Sequence, residues 1–198
     1  LTAFQNEFAA APADICVPVF TGCPADIVVS NAPGTCGNTV SWVAPVMNLA
    51  CPGHVVTSNY NPGDLFNVGA TQVAYYIMKG AARVDSCKFN VIVNDNQLPV
   101  VICRNITVYL DGSGSAVITG ADIDNGSSDN CSILLTTDVS SFDCADAGST
   151  VPVVLTGTDP SGNSANCTAQ VTVLDTLPPV INTKSATLIL DASGNGPL

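Results

Sequence analysis

Nine cysteines are the residues of this 198-residue chain whose chemistry is easiest to interpret. No two of them are spaced as Cys-x-x-Cys and His54 is the only histidine, so the pattern favours neither a zinc site nor a thioredoxin-like motif. Many cysteines in a short chain are typical of disulfide-stabilised proteins from an oxidising compartment. The sequence therefore predicts an extracellular protein, either secreted or displayed on a cell surface.

Carboxylates are the second group with candidate chemistry. Residues 122–129 carry Asp122, Asp124 and Asp129 around Gly126. Calcium takes several oxygen ligands from flexible loops of this kind, although the spacing differs from that of an EF-hand loop. Two interpretations stay open: a calcium site formed by these three aspartates, or a solvated loop whose side chains cap its own backbone. Calcium is the one cofactor that the sequence suggests.

The sequence shows no catalytic constellation. His54 stands alone, and no neighbouring nucleophile is marked as its partner. Glu7 is the only glutamate, which weakens the case for the paired carboxylates of a glycosidase. Trp42, the only tryptophan, is interpreted as a core anchor against the opposite sheet rather than as a sugar platform. The sequence predicts a protein that is not an enzyme.

Charge and hydropathy exclude two classes of partner. The chain has 16 acidic and 5 basic residues, a formal net charge of −11. This balance argues against nucleic acids and anionic membranes as partners. No apolar run approaches the roughly 20 residues needed to cross a bilayer, so no membrane span is predicted in this segment.

The elements that must position these residues repeat with a period of 80 residues. Pairs that obey this spacing are Cys23 and Cys103, Cys51 and Cys131, Cys87 and Cys167, Asp95 and Asp175, and Pro99 and Pro179. A period this long marks a whole domain used more than once. It predicts one domain at 16–96 and a second at 97–177. Residues 1–15 are then an N-terminal extension or the end of a preceding unit, and residues 178–198 are the first strands of an incomplete third repeat.

Short segments rich in β-branched and aromatic residues fill both units, at 26–29, 39–43, 55–57, 71–77, 88–93, 106–110, 116–119, 133–136, 151–156 and 169–173. Turns with Gly, Pro and Asn separate them, and no helical stripe is evident. The pattern predicts an all-β protein of tandem immunoglobulin or fibronectin-III-like β-sandwiches. The links at Asp95 and Asp175 are short and contain proline, which predicts a semi-rigid arrangement. These two aspartates are weaker calcium candidates because few other ligands accompany them.

Residues 23–29, 40–45, 58–71 and 87–91 form an ordered set of segments in the first unit. This set resembles the hyalin repeat (HYR) domain. Residues 122–131 and 158–163 of the second unit are similar to related immunoglobulin-like repeats of Bacteroidetes-type bacterial surface adhesins. The resemblance implies an immunoglobulin-like sandwich, an extracellular location and a role in adhesion or assembly. Expected partners are neighbouring repeats, identical chains, or surface glycans and proteins.

The resemblance also implies a disulfide pattern, because family members with only two cysteines keep one pair between the first and last strands. The implied bonds are Cys23–Cys87 and Cys103–Cys167, which leaves Cys36 with Cys51 and Cys131 with Cys144. Cys16 remains as a free thiol, as the partner of a reassigned cysteine, or as a bond to another chain. Thr176 lies in a three-residue segment that resembles a short O-glycosylation signal of Bacteroidetes.

Three functions follow from these observations. The first is a stalk segment of a large cell-surface adhesin or filament. The second is the structural subunit of an extracellular polymer, joined by strand exchange or through Cys16. The third is an accessory carbohydrate-binding module of a secreted enzyme. The repeat and the stiff links favour the first.

Overall fold

A computed structural model describes residues 16–185, 187, 189–190 and 192–194. The strands of the first unit are β1 (Phe20–Thr21), β2 (Ile27–Ser30), β3 (Gly37–Thr39), β4 (Val46–Met47), β5 (His54–Ser58), β6 (Leu65–Asn67), β7 (Gly69–Lys79) and β8 (Ala82–Asn94). The second unit contains β9 (Ile106–Tyr109), β10 (Ser115–Val117), α1 (Gly120–Ile123), β11 (Leu134–Thr137), β12 (Ser141–Asp143), β13 (Thr150–Thr158) and β14 (Ser164–Leu174).

Each unit has one four-stranded sheet built around a long hairpin. The strand orders are β2-β8-β7-β5 and β11-β13-β14-β9. Within each of these sheets, the strand that comes first in the chain runs parallel to the strand that comes last, β2 beside β8 and β9 beside β14, while the other pairs are antiparallel. Shorter two-stranded ladders, β3-β6 and β10-β12, contribute residues to the facing side of the core. The all-β sandwich class predicted from the sequence is confirmed.

Alternation with period two selects the core residues of the long strands. In β8, Cys87, Phe89, Val91 and Val93 are buried. Successive side chains of a strand point to opposite faces, so every second residue enters the sandwich. Burying one such large apolar side chain stabilises the fold by about 1.5–3 kcal/mol.

The strand predicted at 39–43 is largely wrong, because the observed strand is β3 (Gly37–Thr39) and only Thr39 of the predicted segment belongs to it. Pairing between β3 and β6 ends with the bond from the Val40 amide to the Asp64 carbonyl. Gly63 and Asp64 belong to a turn, so the chain beyond Val40 has no neighbouring strand to pair with. Val40 itself is buried, while Val43 is exposed.

The single turn of helix, α1, follows the predicted strand at 116–119. Thr119 is its N-cap, and the Asp122 carboxylate accepts bonds from the Thr119 amide (2.7 Å) and hydroxyl (2.8 Å). Such caps satisfy amides that have no partner within the helix.

The predicted third repeat forms no strand among its described residues. Val180, Ile181 and Ile189 are 85%, 82% and 79% exposed. These apolar side chains stay in solvent because no described sheet lies against them. Their counterparts in the second unit are Val100, which forms a bridge with Ser128, Val101, which packs against the core, and Tyr109, which belongs to β9. The extension predicted at 1–15 lies outside the described residues.

Candidate functional site

The two units meet at a contact region, here called the joint, which comprises the link at 95–99 and three loops at 31–36, 128–131 and 159–163. Topology brings these segments together. Because β2 is parallel to β8, both strands finish at the same end of the first unit, and the loop after β2 lies beside the link. The loop at 159–163 is the turn of the β13–β14 hairpin, and the loop at 128–131 precedes β11, whose first residue pairs with Thr158.

Side-chain amides of the second unit hold the link and the first unit together. The Asn163 amide donates to the Asp95 carbonyl (3.0 Å). The Asn130 amide donates to both the Thr35 carbonyl and the Asp95 carboxylate, each at 3.1 Å. Asp95 is only 6% exposed. A buried carboxylate with such partners gives the joint a defined geometry.

A disulfide between Cys36 and Cys131 crosses the joint and connects the two units covalently. Three further bonds are Cys16–Cys51, Cys23–Cys87 and Cys103–Cys167. The last two are the pairs implied by the family resemblance, and each joins the start of a unit to its final strand.

The expected bond between Cys36 and Cys51 does not form, because the two residues lie at opposite ends of β7. The Cys36 carbonyl accepts a bond from Val68, just before β7 begins. The Cys51 carbonyl accepts a bond from His54, which pairs with Lys79 where β7 ends. An 11-residue strand is roughly 35 Å long at about 3.4 Å per residue, whereas bonded cysteines have Cα atoms within about 7 Å.

The expected bond between Cys131 and Cys144 does not form, because these two cysteines lie at opposite ends of the second unit. Cys131 precedes β11 at the end of the second unit that faces the joint. The Cys144 sulfur lies 3.7 Å from the Gly114 carbonyl at the far end, where β14 finishes. Cys16, which the sequence left over, bonds to Cys51, and the free cysteine is the exposed Cys144.

One sequence signal pointed to this pairing. Cys51 and Cys131 are equivalent under the 80-residue period, so both reach the end of their unit at which the chain enters. A cysteine at that end meets either the first residues of its own unit or the unit that precedes it. Cys51 accordingly bonds to Cys16, and Cys131 to Cys36.

We expect a single reactive thiol in the native oxidised chain. Reaction with a thiol reagent under native conditions should label Cys144 alone, because it is exposed and the other eight cysteines are bonded. Peptide mapping identifies the labelled residue, and Cys144→Ser should abolish labelling. A Cys131–Cys144 peptide in the digest would contradict the pairing.

The three aspartates proposed as a calcium site are not brought together. Asp122 caps α1, and Asp124 accepts a bond from the Ser127 amide (2.9 Å) in a local turn. Asp129 turns to the joint, where its Oδ2 accepts from the Cys131 amide (2.9 Å). Within the described part of the chain, the grouping of potential metal-ligating atoms contains Asp129 with Asp95 and Cys131.

Hydrogen bonds hold the pKa of four aspartates below the usual value; three are exposed and Asp124 is partly buried. The leading causes are the Asn90 amide for Asp26, the Ser113 hydroxyl for Asp111, the Thr119 amide for Asp122 and the Ser127 hydroxyl for Asp124. These bonds favour the ionised form in the folded state.

Stability should therefore decrease as acid protonates these groups. A pKa lowered by folding contributes stability above the unfolded value, about 3.9, and that contribution is lost as the pH falls through the folded value. We expect the urea midpoint, followed by circular dichroism, to drop between about pH 5 and about pH 2.5. Asp111→Asn should reduce the drop, and a midpoint that is constant over this range would contradict the assignment.

The structure also places three other residues singled out in the sequence: Trp42, His54 and Thr176. Trp42 packs on the core and donates from Nε1 to the Tyr75 hydroxyl (2.9 Å), as expected of a core anchor. His54 begins β5, and its Nδ1 lies 3.2 Å from the Pro52 carbonyl oxygen. Thr176 is exposed just after β14.

Comparison with known proteins places the first unit in a family: residues 13–93 match the HYR domain. The first unit is an HYR domain. Hyalin of the sea urchin Strongylocentrotus purpuratus is 32% identical over 179 residues, which cover 85% of this chain. Because this alignment is longer than one HYR domain, the likeness extends into the second unit. The chain spans 15% of the length of hyalin.

The solved structures to which the chain is similar include cadherin repeats. The EC1-2 segment of human mucin-like protocadherin has a TM-score of 0.34 and 12% identity, covering 76% of this chain and 96% of that one. Drosophila N-cadherin EC1-3 has a TM-score of 0.29 and 14% identity, covering 80% and 67%. Likeness at this level transfers no ligand or partner to the HYR-containing chain. The bacterial setting suggested for the second unit stays a prediction, and no described helix is long and apolar enough to cross a membrane.

Proposed function

We propose that this chain is a non-catalytic extracellular segment of a large adhesive protein, in which it acts as a disulfide-stabilised, semi-rigid stalk. The observation that carries the proposal is the Cys36–Cys131 bond across the joint. The HYR domain and the likeness to hyalin support the extracellular, adhesion-type setting.

A stalk must transmit orientation from one unit to the next. A five-residue link alone would leave two units free to swing and rotate about it. The disulfide adds a second covalent connection, and the bonds of Asn130 and Asn163 add contacts between them. Two separated connections remove most of the relative motion that one connection permits, so the joint favours fixed geometry over flexible tethering.

Cys144 supports the idea that disulfides connect successive units along a chain with more repeats. Its sulfur lies beside Gly114, the counterpart of Gly34 under the 80-residue period. Gly34 is two residues before Cys36, which makes the forward bond of the first unit. In a stalk of such units, Cys144 is the residue that bonds to the unit that follows.

The rigidity of the joint can be measured by ¹⁵N relaxation and residual dipolar couplings of the oxidised chain. The Cys144→Ser background prevents unwanted cross-linking. We expect the two units to share one rotational correlation time and one alignment tensor. Adding Cys36→Ser and Cys131→Ser should give them separate tensors. Two independently tumbling units in the fully oxidised chain would contradict the stalk proposal.

A second candidate is a polymer subunit joined by strand exchange, which the exposed apolar side chains of Val180, Ile181 and Ile189 favour. Exposed apolar side chains such as these are suited to covering an open sheet edge when a strand is added to it. Light scattering of the chain, with and without residues 178–198, separates the two candidates. Concentration-dependent polymers that need this segment would favour the subunit, and a monomer in both forms would favour the stalk.

A carbohydrate-binding module has less support. Trp42 is the only tryptophan, and its indole is engaged with Tyr75, Phe66 and Phe89. A sugar platform needs an aromatic face open to solvent, whereas Trp42 is partly buried against the core.

A further inference from the structure

The two short ladders, β3-β6 and β10-β12, correspond residue by residue. In each, a buried phenylalanine of the second strand, Phe66 or Phe142, pairs with the middle residue of the first strand. The residue that directly precedes the first strand is Cys36 in the first unit and Gly114 in the second. The 80-residue period does not reveal this correspondence, because β10 begins at residue 115, two positions earlier than the period would place it. Gly114 thus stands in the second unit where the first unit carries its cysteine of the joint.

Cys144 lies on the neighbouring strand at the same position of the ladder. It directly follows β12, as Val68 directly follows β6. The Val68 amide donates to the Cys36 carbonyl (3.3 Å), and the Cys144 sulfur lies 3.7 Å from the Gly114 carbonyl oxygen. Both units therefore carry a cysteine at the same end of the sandwich, on opposite strands of the same ladder.

The change of strand is accompanied by the loss of a side chain. A Cβ atom at Gly114 would lie 2.6 Å from the Cys144 sulfur, closer than atoms that are not bonded approach. The sulfur thus occupies space that a side chain at position 114 would need. Val68 packs against the core of its unit, whereas Cys144 is exposed. The second unit therefore presents a thiol to solvent at the end from which the chain leaves it.

The first unit shows which partner a cysteine at this position takes. Cys36 bonds to Cys131, which lies three residues before β11, an edge strand of the next sheet. Cys51 lies three residues before β5, the corresponding edge strand of the first sheet, and bonds to Cys16 at the start of that unit. Both units therefore have a cysteine before their edge strand, at the end where the chain enters.

The chain also leaves both units through the same turn. The Asp95 carboxylate accepts a bond from the Gln97 amide, and the Asp175 carboxylate accepts one from the Leu177 amide, each at 3.0 Å. A unit that follows the second would thus begin from the same turn as the second unit does.

We propose that Cys144 forms a disulfide with a following unit of the same type, and that its partner is a cysteine three residues before the edge strand of that unit. This is the place that Cys51 and Cys131 hold. When the bond forms, two thiols lose two protons and two electrons to a small-molecule disulfide of the oxidising compartment, which is reduced to two thiols. The inference rests on the stalk proposal, because it requires units joined end to end, and it adds the identity of the partner cysteine.

A second copy of the chain supplies the partner cysteine for the test. The oxidised wild-type chain is activated at Cys144 as a thiopyridyl disulfide and mixed with one of two acceptors. Cys16→Ser with Cys144→Ser leaves Cys51 as the free thiol, and Cys51→Ser with Cys144→Ser leaves Cys16. The acceptor thiolate attacks the Cys144 sulfur, the new disulfide forms and thiopyridone leaves, so the absorbance of thiopyridone gives the rate.

Each rate is divided by the rate of the same acceptor with free dithiodipyridine, which corrects for the access and reactivity of its thiol. We expect the Cys51 acceptor to react at least about tenfold faster than the Cys16 acceptor on this scale, because docking of the two ends aligns the sulfurs. The matched control is a donor that carries Thr168→Cys with Cys144→Ser, since Thr168 is exposed within β14 and away from that end. This donor should show no preference between the acceptors.

Equal corrected rates for the two acceptors, or the same preference from the Thr168→Cys donor, would overturn the proposal. If Cys16→Ser does not fold, the wild-type chain provides the test, because Cys144 of one copy can exchange with the Cys16–Cys51 bond of another. Peptide mapping should then find Cys144–Cys51 in excess of Cys144–Cys16, and the opposite ratio, or neither product, would overturn the proposal. The internal joint is tested separately by its alignment tensors, so the stalk stands if this partner fails.

Discussion

Replacing both cysteines of the joint, with Cys36→Ser and Cys131→Ser, should lower the free energy of unfolding of the oxidised chain by about 4 kcal/mol. The bond joins residues 95 positions apart, and the Cys23–Cys87 bond shortens the closed loop only in part. A cross-link over so long a loop restricts the unfolded chain, so its loss stabilises the unfolded state. Urea titration followed by circular dichroism measures the change.

The matched control for this variant is Cys144→Ser, which removes an exposed thiol and should change the free energy of unfolding by less than about 0.5 kcal/mol. Besides the loss of stability, we expect the double variant to unfold in two separate transitions, because the two cores no longer share a covalent joint. A single transition at the wild-type midpoint would show that the bond contributes nothing to coupling the units.

Trp42→Ala should destabilise the HYR domain by about 3–5 kcal/mol. The indole packs edge-on against Phe66 and Phe89, with ring centroids 5.9 and 5.4 Å away. Its removal also deprives the Tyr75 hydroxyl of the bond from Nε1. The loss is therefore the sum of a cavity and an unpaired polar group.

Trp42→Phe is the control that separates packing from surface recognition. It keeps an aromatic ring in the core, so it should cost less than half as much as Trp42→Ala in thermal or urea unfolding. If Trp42→Ala left stability unchanged and abolished binding to a glycan array, Trp42 would be a sugar platform, and the core assignment would be wrong.

The local sequence pattern was sufficient to predict most of the strands in the two four-stranded sheets. The period-two alternation in β8 and the β-branched residues of β13 are properties of the segments themselves, and both segments form strands. The segment at 39–43 has the same composition but no partner beyond Val40, so only part of it pairs. Strand formation depends on a neighbour as well as on side chains.

The acidic residues also divide into those whose contacts are local, and so predictable from the sequence, and one whose contact depends on the tertiary structure. Of the two interpretations open for residues 122–129, the capped loop describes Asp122 and Asp124, which accept bonds from Thr119 and Ser127 nearby in the chain. Asp129 instead reaches Asp95, 34 positions earlier in the chain. No local spacing relates those two residues, because their proximity arises from the way the second unit docks on the link.

By itself, the sequence determined the 80-residue repeat and the β class, because these depend on periodicity and local composition, and the resemblance to the HYR domain implied the bond of Cys23 with Cys87. Only the tertiary structure decided that Cys36 bonds to Cys131 and that Cys144 stays free. The physical reason is position along the sheets: a strand of β7's length separates cysteines that are close in sequence, and the docking of two units brings distant ones within bonding reach.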